Sequence, residues 1–362
     1  MKRRTFTTLL GAAPLLGLSS LRALAADEKP ASIRISFPGA GTGGRPIVGG
    51  SYPANSHLIR AVDEEFKADG IRIDWKFFPG AGPALNESFA NGLTDFAFGH
   101  GDLPLIVGRS TGLKHKILMS SGRGGDSYFV VPSGSPAKAL PDLKGKRIAT
   151  FKGTAGQLTL YRWFDKFGLS EKDFRVISLD NDSTLAALST GDIDGTVRAP
   201  FDVEARGVAH RIHEIINDPY IARPGTVWVG EEFEKKYPHI VQRLVTRLVK
   251  VAQWSTQDAN REKQYQLWAT SGTPYVDYKK GWEATKDLRD RHNPLLDEYY
   301  VASIQRSIEE TKKYKLIRRD VSIDGWLEPK YLNTALKELQ LEDYWAQQDS
   351  KGAIKVPARK LS

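Results

Sequence analysis

From Ile33 to Val229 the chain alternates short apolar, β-type runs with helical segments, and small-residue turns stand between them. That alternation constrains the fold more than any other feature, because strands separated by helices pair as a parallel sheet covered on both faces. The pattern predicts strands at Ile33–Phe37, Ile71–Phe78, Asp95–Phe98 and Lys116–Met119, with helices between them. A second set follows at Tyr128–Val131, Arg147–Phe151, Val176–Leu179, Gly195–Val197 and Ile212–Ile216. Leu58, Val62 and Phe66 fall on one predicted helical face. Gly168 and Gly191 stand where helices should stop. Thr226–Val229 reads as a return strand, and beyond it the pattern turns helical. Ile240, Leu244, Leu248 and Ala252 form one stripe, with Val241, Val245 and Val249 beside it. So wide an apolar face belongs to a helix packed into a large body. With 362 residues, two α/β units, two crossings near residues 130 and 225 and a helical tail, the expected architecture is α/β and bilobal. The expected partition is lobe I from 27–130 plus 225–300, lobe II from 131–224, and a helical extension at 301–362 on lobe I.

In open α/β sheets, ligands bind beyond the carboxyl ends of the strands. Four turns occupy such places. Gly99-His100-Gly101-Asp102 and Ser120-Ser121-Gly122 end strands of the first unit. Gly153-Thr154-Ala155-Gly156-Gln157 and Arg198-Ala199-Pro200 end strands of the second. Hydroxyls and free backbone N–H groups at helix starts suit an oxyanion, and the Arg198 guanidinium would neutralise it. Thr154 reads equally as a simple helix cap, and Arg198 as a salt-bridge partner of Asp202 or Glu204. Phe201 or Phe37 would cover the rest of a ligand.

Other motifs fail on context. Gly39-Ala40-Gly41-Thr42-Gly43-Gly44 spells a dinucleotide loop, but Pro46 and Pro53 delay the helix and no acid follows the second strand. Gly108-Arg109-Ser110-Thr111-Gly112 follows a helix and not a strand, so it is no nucleophile elbow. Gly145-Lys146 is followed by Arg147, so there is no phosphate-binding Walker loop. His210 and His213 lack a ligating acid or Cys nearby. No cofactor is called for.

The leader points to export. Lys2, Arg3 and Arg4 precede an apolar stretch, Arg3-Arg4-Thr5-Phe6 resembles the twin-arginine motif, and Ala23-Leu24-Ala25 is a cleavage signal for an export peptide at 1–25. Losing Lys2, Arg3, Arg4 and Arg22 with the leader lowers the net charge from +9 to +5. That excess suits a small anion and not a nucleic acid, since no basic run is interleaved with aromatics. The chain has no cysteine, hence no disulfide, thiol nucleophile or lipidated anchor. A monomer in the periplasm is the expected state.

Three segments carry a resemblance. Asn91-Gly92-Leu93-Thr94-Asp95-Phe96, Leu143-Lys144-Gly145-Lys146-Arg147-Ile148-Ala149 with Lys152-Gly153-Thr154, and Thr190-Gly191-Asp192-Ile193-Asp194-Gly195 stand in that order. Over about residues 31–230 the chain resembles the nitrate, sulfonate and taurine family of ABC-transporter substrate-binding proteins. The resemblance implies a type II periplasmic-binding-protein fold with two doubly wound lobes and a hinge. It implies capture of a small anionic solute, sulfonate-like or carboxylate, and delivery to the transmembrane subunits of an ABC permease. Ligand contacts are implied at Gly41, Thr42, Gly43 and Arg45, at Gly99, His100, Gly101 and Asp102, and at Thr154, Ala155, Gly156 and Gln157. Relatives often carry a Trp-Asp-Pro-like segment where this chain has Arg198-Ala199-Pro200. A periplasmic enzyme using His100 and Asp102, or a ligand-sensing partner of a membrane kinase, are the competing readings.

Overall fold

The computed structural model describes residues 28–221 and 223–361. The expected export leader, residues 1–25, lies outside the described residues. Ten strands form two five-stranded sheets. The first holds β1 (Ser32–Phe37), β2 (Arg72–Phe77), β3 (Phe96–His100) and β4 (His115–Ser120). The second holds β5 (Ser127–Pro132), β6 (Arg147–Thr150), β7 (Arg175–Ser178), β8 (Gly195–Val197) and β9 (Ala209–Ile215). The last strand, β10 (Thr226–Gly230), returns to the first sheet.

The orders are β2-β1-β3-β10-β4 and β7-β6-β8-β5-β9. Each sheet is parallel except for one inserted strand. β10 runs antiparallel to β3 and β4, and β5 runs antiparallel to β8 and β9. These two strands are the first that the chain lays down after each crossing between lobes. A chain arriving from the cleft side must run away from the cleft, so it opposes strands that end there. The two lobes are therefore built alike, and the two crossings form the hinge.

The repeating apolar pattern gives each lobe its core. Ile33, Ile35 and Phe37 of β1 pack with Phe96 and Phe98 of β3 and with helix Pro238–Ser255. On that helix Ile240, Val241, Leu244, Val245, Leu248, Val249 and Ala252 are all buried. In the second lobe Phe129, Val131 and Ile148 pack against Leu160, Trp163 and Phe164 of helix Ala155–Lys166. Burying a Leu or Phe side chain contributes roughly 1.5–3 kcal/mol, so these faces hold the lobes together. Gly191 ends helix Asn181–Thr190 in the left-handed region (φ 76°), where a side chain would be strained.

Leu58, Val62 and Phe66 do not share one helix. The chain makes helices Tyr52–Leu58 and Ala61–Lys67, broken at Arg60 (φ 57°). The second helix begins anew at that left-handed residue, so the apolar spacing continues while the backbone does not.

After β10 the chain touches both lobes. Helix Glu298–Lys313 packs on helix Asp102–Ser110 of the first lobe, and its Lys313 pairs with Asp165 of the second at 2.6 Å. Helix Tyr275–Glu283 packs on helix Arg261–Ala269 and on helix Phe201–Ala205 of the second lobe, where Asp277 accepts the Asp202 amide at 2.9 Å. No helix among the described residues is long and apolar enough to cross a membrane.

Candidate functional site

Two cavities lie at the two crossings. One, of about 190 Å³, lies where β4 leaves the first sheet and the chain returns toward β10; Ser51, Ser121, Gly122, Arg123, Gly124, Arg223, Gly225 and His292 line it. The other, of about 270 Å³, lies at the ends of β5 and β8; Asp126, Tyr128, Arg198, Phe201, Asp277 and Tyr278 line it. Trp282 and Arg291 belong to both.

Arg291 is the pivot. Its guanidinium lies over the Trp282 ring, 3.8 Å from the centroid, and Nη1 donates to the Gly281 carbonyl at 2.7 Å. Trp282 stacks in turn on His292, with centroids 4.8 Å apart at 30°. Burial pulls the Arg291 pKa down to about 10, with Asp126 acting against it. Among the described residues no carboxylate stands within ion-pair distance of it. The neighbouring cations are committed elsewhere. Arg123 pairs with Asp297 at 2.9 Å, and Arg223 pairs with Glu310 at 2.7 Å. His292 is buried and held neutral, its pKa lowered to about 3 by burial. Its Nε2 has no partner among the described residues.

Arg198 is the second uncommitted cation. Asp202 pairs with Arg206 at 3.1 Å and Glu204 with Arg211 at 2.7 Å, so neither acid takes Arg198. Among the described residues Arg198 hydrogen-bonds only the Ala199 carbonyl, at 3.4 Å, and burial lowers its pKa while Asp277 opposes that shift. Phe201 stands beside it, edge-on to Tyr128 at 5.4 Å. Of the residues singled out in the sequence, Ser121, Gly122, Arg198, Ala199 and Phe201 line these cavities.

Most of the remaining ones lie in turns where the lobes meet. A Cβ on Gly101 would come within 2.6 Å of the Ala155 Cβ, so the turn after β3 and the turn after β6 press on each other. Gly99 in the first of these turns is left-handed (φ 80°). Gly153, also left-handed (φ 81°), faces Pro83. The Thr154 hydroxyl donates to the Phe151 carbonyl at 2.7 Å and accepts the Gly156 amide at 3.2 Å, the arrangement of a helix cap. Gln157 closes the same turn, accepting the Gly153 amide at 2.7 Å. His100 is buried, accepts the Trp228 indole N–H through Nδ1 at 2.9 Å, and has its pKa lowered to about 3 by burial. Asp102 is buried and ion-paired with Arg162 of the second lobe. His100 and Asp102 are thus each engaged by other groups, and neither activates the other. In the first loop Gly41 bridges to Arg45, Thr42 donates its amide to the Ser271 carbonyl at 2.8 Å, and Gly43 donates to Asp182 of the second lobe at 2.9 Å. Arg45 is exposed. Phe37 is in the core, stacked on Phe77 at 5.3 Å. In this conformation these turns form the contact between the lobes and line neither cavity.

Thr154→Ala is accordingly expected to lower stability by about 1 kcal/mol, the usual worth of such a cap, and to leave ligand affinity unchanged. Urea unfolding and calorimetric titration of the variant check both halves.

Arg291, Trp282, Tyr278 and Asp277 escaped sequence reasoning because they follow the last α/β unit, in a stretch with helical spacing and no strand-end turn. Ser121-Gly122-Arg123-Gly124-Gly125 did carry a signal, a small-residue run holding an Arg after a strand.

The family model of the NMT1-like family matches residues 49–269, more than half of the chain. A protein of Escherichia coli (strain K12) named for binding aliphatic sulfonates is 28% identical over 186 residues, 51% of this chain and 54% of its own length. The chain thus spans about half the length of the curated relatives it matches. Among solved structures, the periplasmic sulfonate-binding protein SsuA of a sulfonate ABC transporter from Methylobacillus flagellatus KT superposes with a TM-score of 0.74 at 28% identity, covering 93% of this chain and 99% of that one. The desulfurization enzyme DszB shares the fold as well, with a TM-score of 0.62 at 18% identity over 85% of this chain and 99% of its own. Two like-built lobes, cavities at their crossings and the match over residues 49–269 agree: the chain belongs to the NMT1-like family, with the two-lobed fold of periplasmic binding proteins.

Proposed function

We propose that the chain is an exported, monomeric binding protein that takes up a small organic monoanion, a sulfonate or carboxylate, and hands it to the transmembrane subunits of an ABC importer in the periplasm. One observation carries the reading. Arg291 stands at the junction of two cavities with its planar face fixed on Trp282 and without an ion-pair carboxylate among the described residues. A guanidinium so held presents paired N–H donors to a planar or tetrahedral oxyanion. The charge balance of the first cavity suits a monoanion. Arg123 and Arg223 are matched by Asp297 and Glu310, so the first cavity offers one net positive charge at Arg291. The names of the relatives agree with that class. Closure of the lobes at the hinge would exclude water and strengthen the contact.

Propane-1-sulfonate is expected to raise the melting temperature in step with its saturation of the protein. No shift with any sulfonate or carboxylate at millimolar concentration would contradict the reading. Arg198→Ala is expected to weaken binding by roughly 2 kcal/mol, the scale of a charge-assisted hydrogen bond, read as a dissociation constant raised about thirtyfold.

A further inference from the structure

Residues 298–328 make one excursion from the first lobe and back. It starts in helix Glu298–Lys313, where Tyr300, Ile304 and Ile308 are buried with Ala97 of β3 and Trp228 of β10. The Tyr300 hydroxyl meets that of Thr226 at 2.7 Å. It ends beside β4, where the Ile117 amide donates to the Trp326 carbonyl at 2.9 Å and the Glu328 amide donates to the Ile117 carbonyl at 2.8 Å. Both ends are therefore rooted in the first sheet. The middle is not. Glu310 pairs with Arg162 at 2.7 Å and Lys313 with Asp165 at 2.6 Å, both on helix Ala155–Lys166 of the second lobe. The Tyr314 hydroxyl donates to Asp165, and its ring stands edge-on to Tyr161 at 4.9 Å. Lys315 turns the chain at the apex in the left-handed region (φ 59°). Leu316 then packs against the core of the second lobe, and its neighbour Ile317 against that of the first.

The two crossings already join the lobes, so this third link is not needed for connection. What it adds depends on where the lobes stand. Helix Ala155–Lys166 begins at Ala155, which presses on Gly101 of the first lobe. Opening at the hinge carries this helix away from the first lobe. A segment rooted at both ends in the first lobe cannot follow and keep the Glu310, Lys313, Tyr314 and Leu316 contacts. Those contacts belong to the closed arrangement, and breaking them returns apolar surface to water. We infer that residues 310–317 are a strap that biases the hinge toward closure and slows release of the ligand. A group of contacts made in one of two states shifts the balance toward that state, and apparent affinity scales with the fraction of the protein in it. The strap lies beyond residues 49–269, the part matched to the family.

The test is a pulsed electron-spin distance measurement between labels at Lys67→Cys on the first lobe and Lys172→Cys on the second. Both positions are exposed, and the chain has no cysteine of its own. Without ligand, the labelled parent should hold a population at the separation seen in this structure. Adding Lys313→Ala, Tyr314→Phe and Leu316→Ala together should move that population to longer separations, because these changes leave the cavity linings and the Asp102–Arg162 pair in place. Leu316→Ala alone should shift it the same way by less, which separates a loosened strap from an unfolded triple variant. Equal distance distributions in the parent and both variants overturn the strap, as does a shift to shorter separations. In stopped flow, propane-1-sulfonate should leave the triple variant at least about threefold faster than the parent. An unchanged dissociation rate overturns the role in release. The inference rests on the binding-protein reading given above, but the distances are measured without ligand, so the failure of one is distinguishable from the failure of the other.

Discussion

Replacing Arg291 by alanine is expected to raise the dissociation constant for propane-1-sulfonate by thirtyfold to several thousandfold. Truncating one member of a desolvated, hydrogen-bonded charge pair costs about 2–5 kcal/mol, and each 1.4 kcal/mol is a factor of about ten. The upper part of that range applies because Arg123 and Arg223 cannot substitute: their charges are taken by Asp297 and Glu310. Arg291→Lys should recover only part of the loss. An ammonium keeps the charge but neither lies flat on Trp282 nor offers two parallel donors. Titration calorimetry measures both variants, and an unchanged melting temperature of the free protein shows that the fold is intact. Wild-type affinity in Arg291→Ala would mean that the anion sits elsewhere.

The second large effect concerns the joint between the lobes. Asp102, at the start of helix Asp102–Ser110, meets Arg162 of the second lobe, and both side chains are buried. Arg162 also pairs with Glu310 of the tail at 2.7 Å, Glu310 holds Arg223 at 2.7 Å, and Ser307 donates to Asp102 at 3.0 Å. Breaking such a network by removing one member leaves charges buried without partners, at a cost of about 3–5 kcal/mol. Arg162→Ala is expected to lose that much stability in urea unfolding, whereas Arg206→Ala, which removes a surface pair, should lose less than about 1 kcal/mol. The pH dependence follows in sign. Burial alone would raise the Asp102 carboxyl, but the Arg162 guanidinium, the Ser307 hydroxyl and the Leu103 amide outweigh it and hold the carboxyl below its usual 3.8. A carboxyl lowered on folding contributes stability that is present above its unfolded value and is lost as pH falls through the folded one. The stability difference between wild type and Asp102→Asn should therefore narrow in acid, below about pH 4. A difference that stays constant from pH 7 to pH 3 would mean that Asp102 is not held by its charge.

Periodicity made most of the framework legible. The apolar runs of β1, β3, β5 and β6 and the double stripe on helix Pro238–Ser255 report burial directly, because burial is what spaces apolar residues two or three to four apart. The break at Arg60 was not legible, since Leu58, Val62 and Phe66 keep helical spacing across it. Strand direction was legible only in part. The antiparallel courses of β5 and β10 follow from where the chain crosses between lobes, and side-chain spacing is the same in either direction. The site was legible as a class of place. Strand ends of both lobes do face one another, but a turn at a strand end can meet a ligand or the opposite lobe with the same residues. Gly101 and Ala155 meet each other, and Thr154 spends its hydroxyl on its own helix. Arg198 was separable from its nearby acids only once Arg206 and Arg211 were seen to occupy them. Arg291 and Trp282 are only nine residues apart, but what brings the pair to the crossings is the fold of this segment over Ser121–Gly124 and Arg198, which leaves no mark in local pattern.

The most direct test of where the ligand lies is a crystal structure of the protein grown with propane-1-sulfonate. The expected result places the sulfonate oxygens within hydrogen-bond distance of the Arg291 guanidinium, beside Trp282 and between the two crossings. A sulfonate held instead by the Gly99–Asp102 and Thr154–Gln157 turns, with Arg291 untouched, would contradict this assignment.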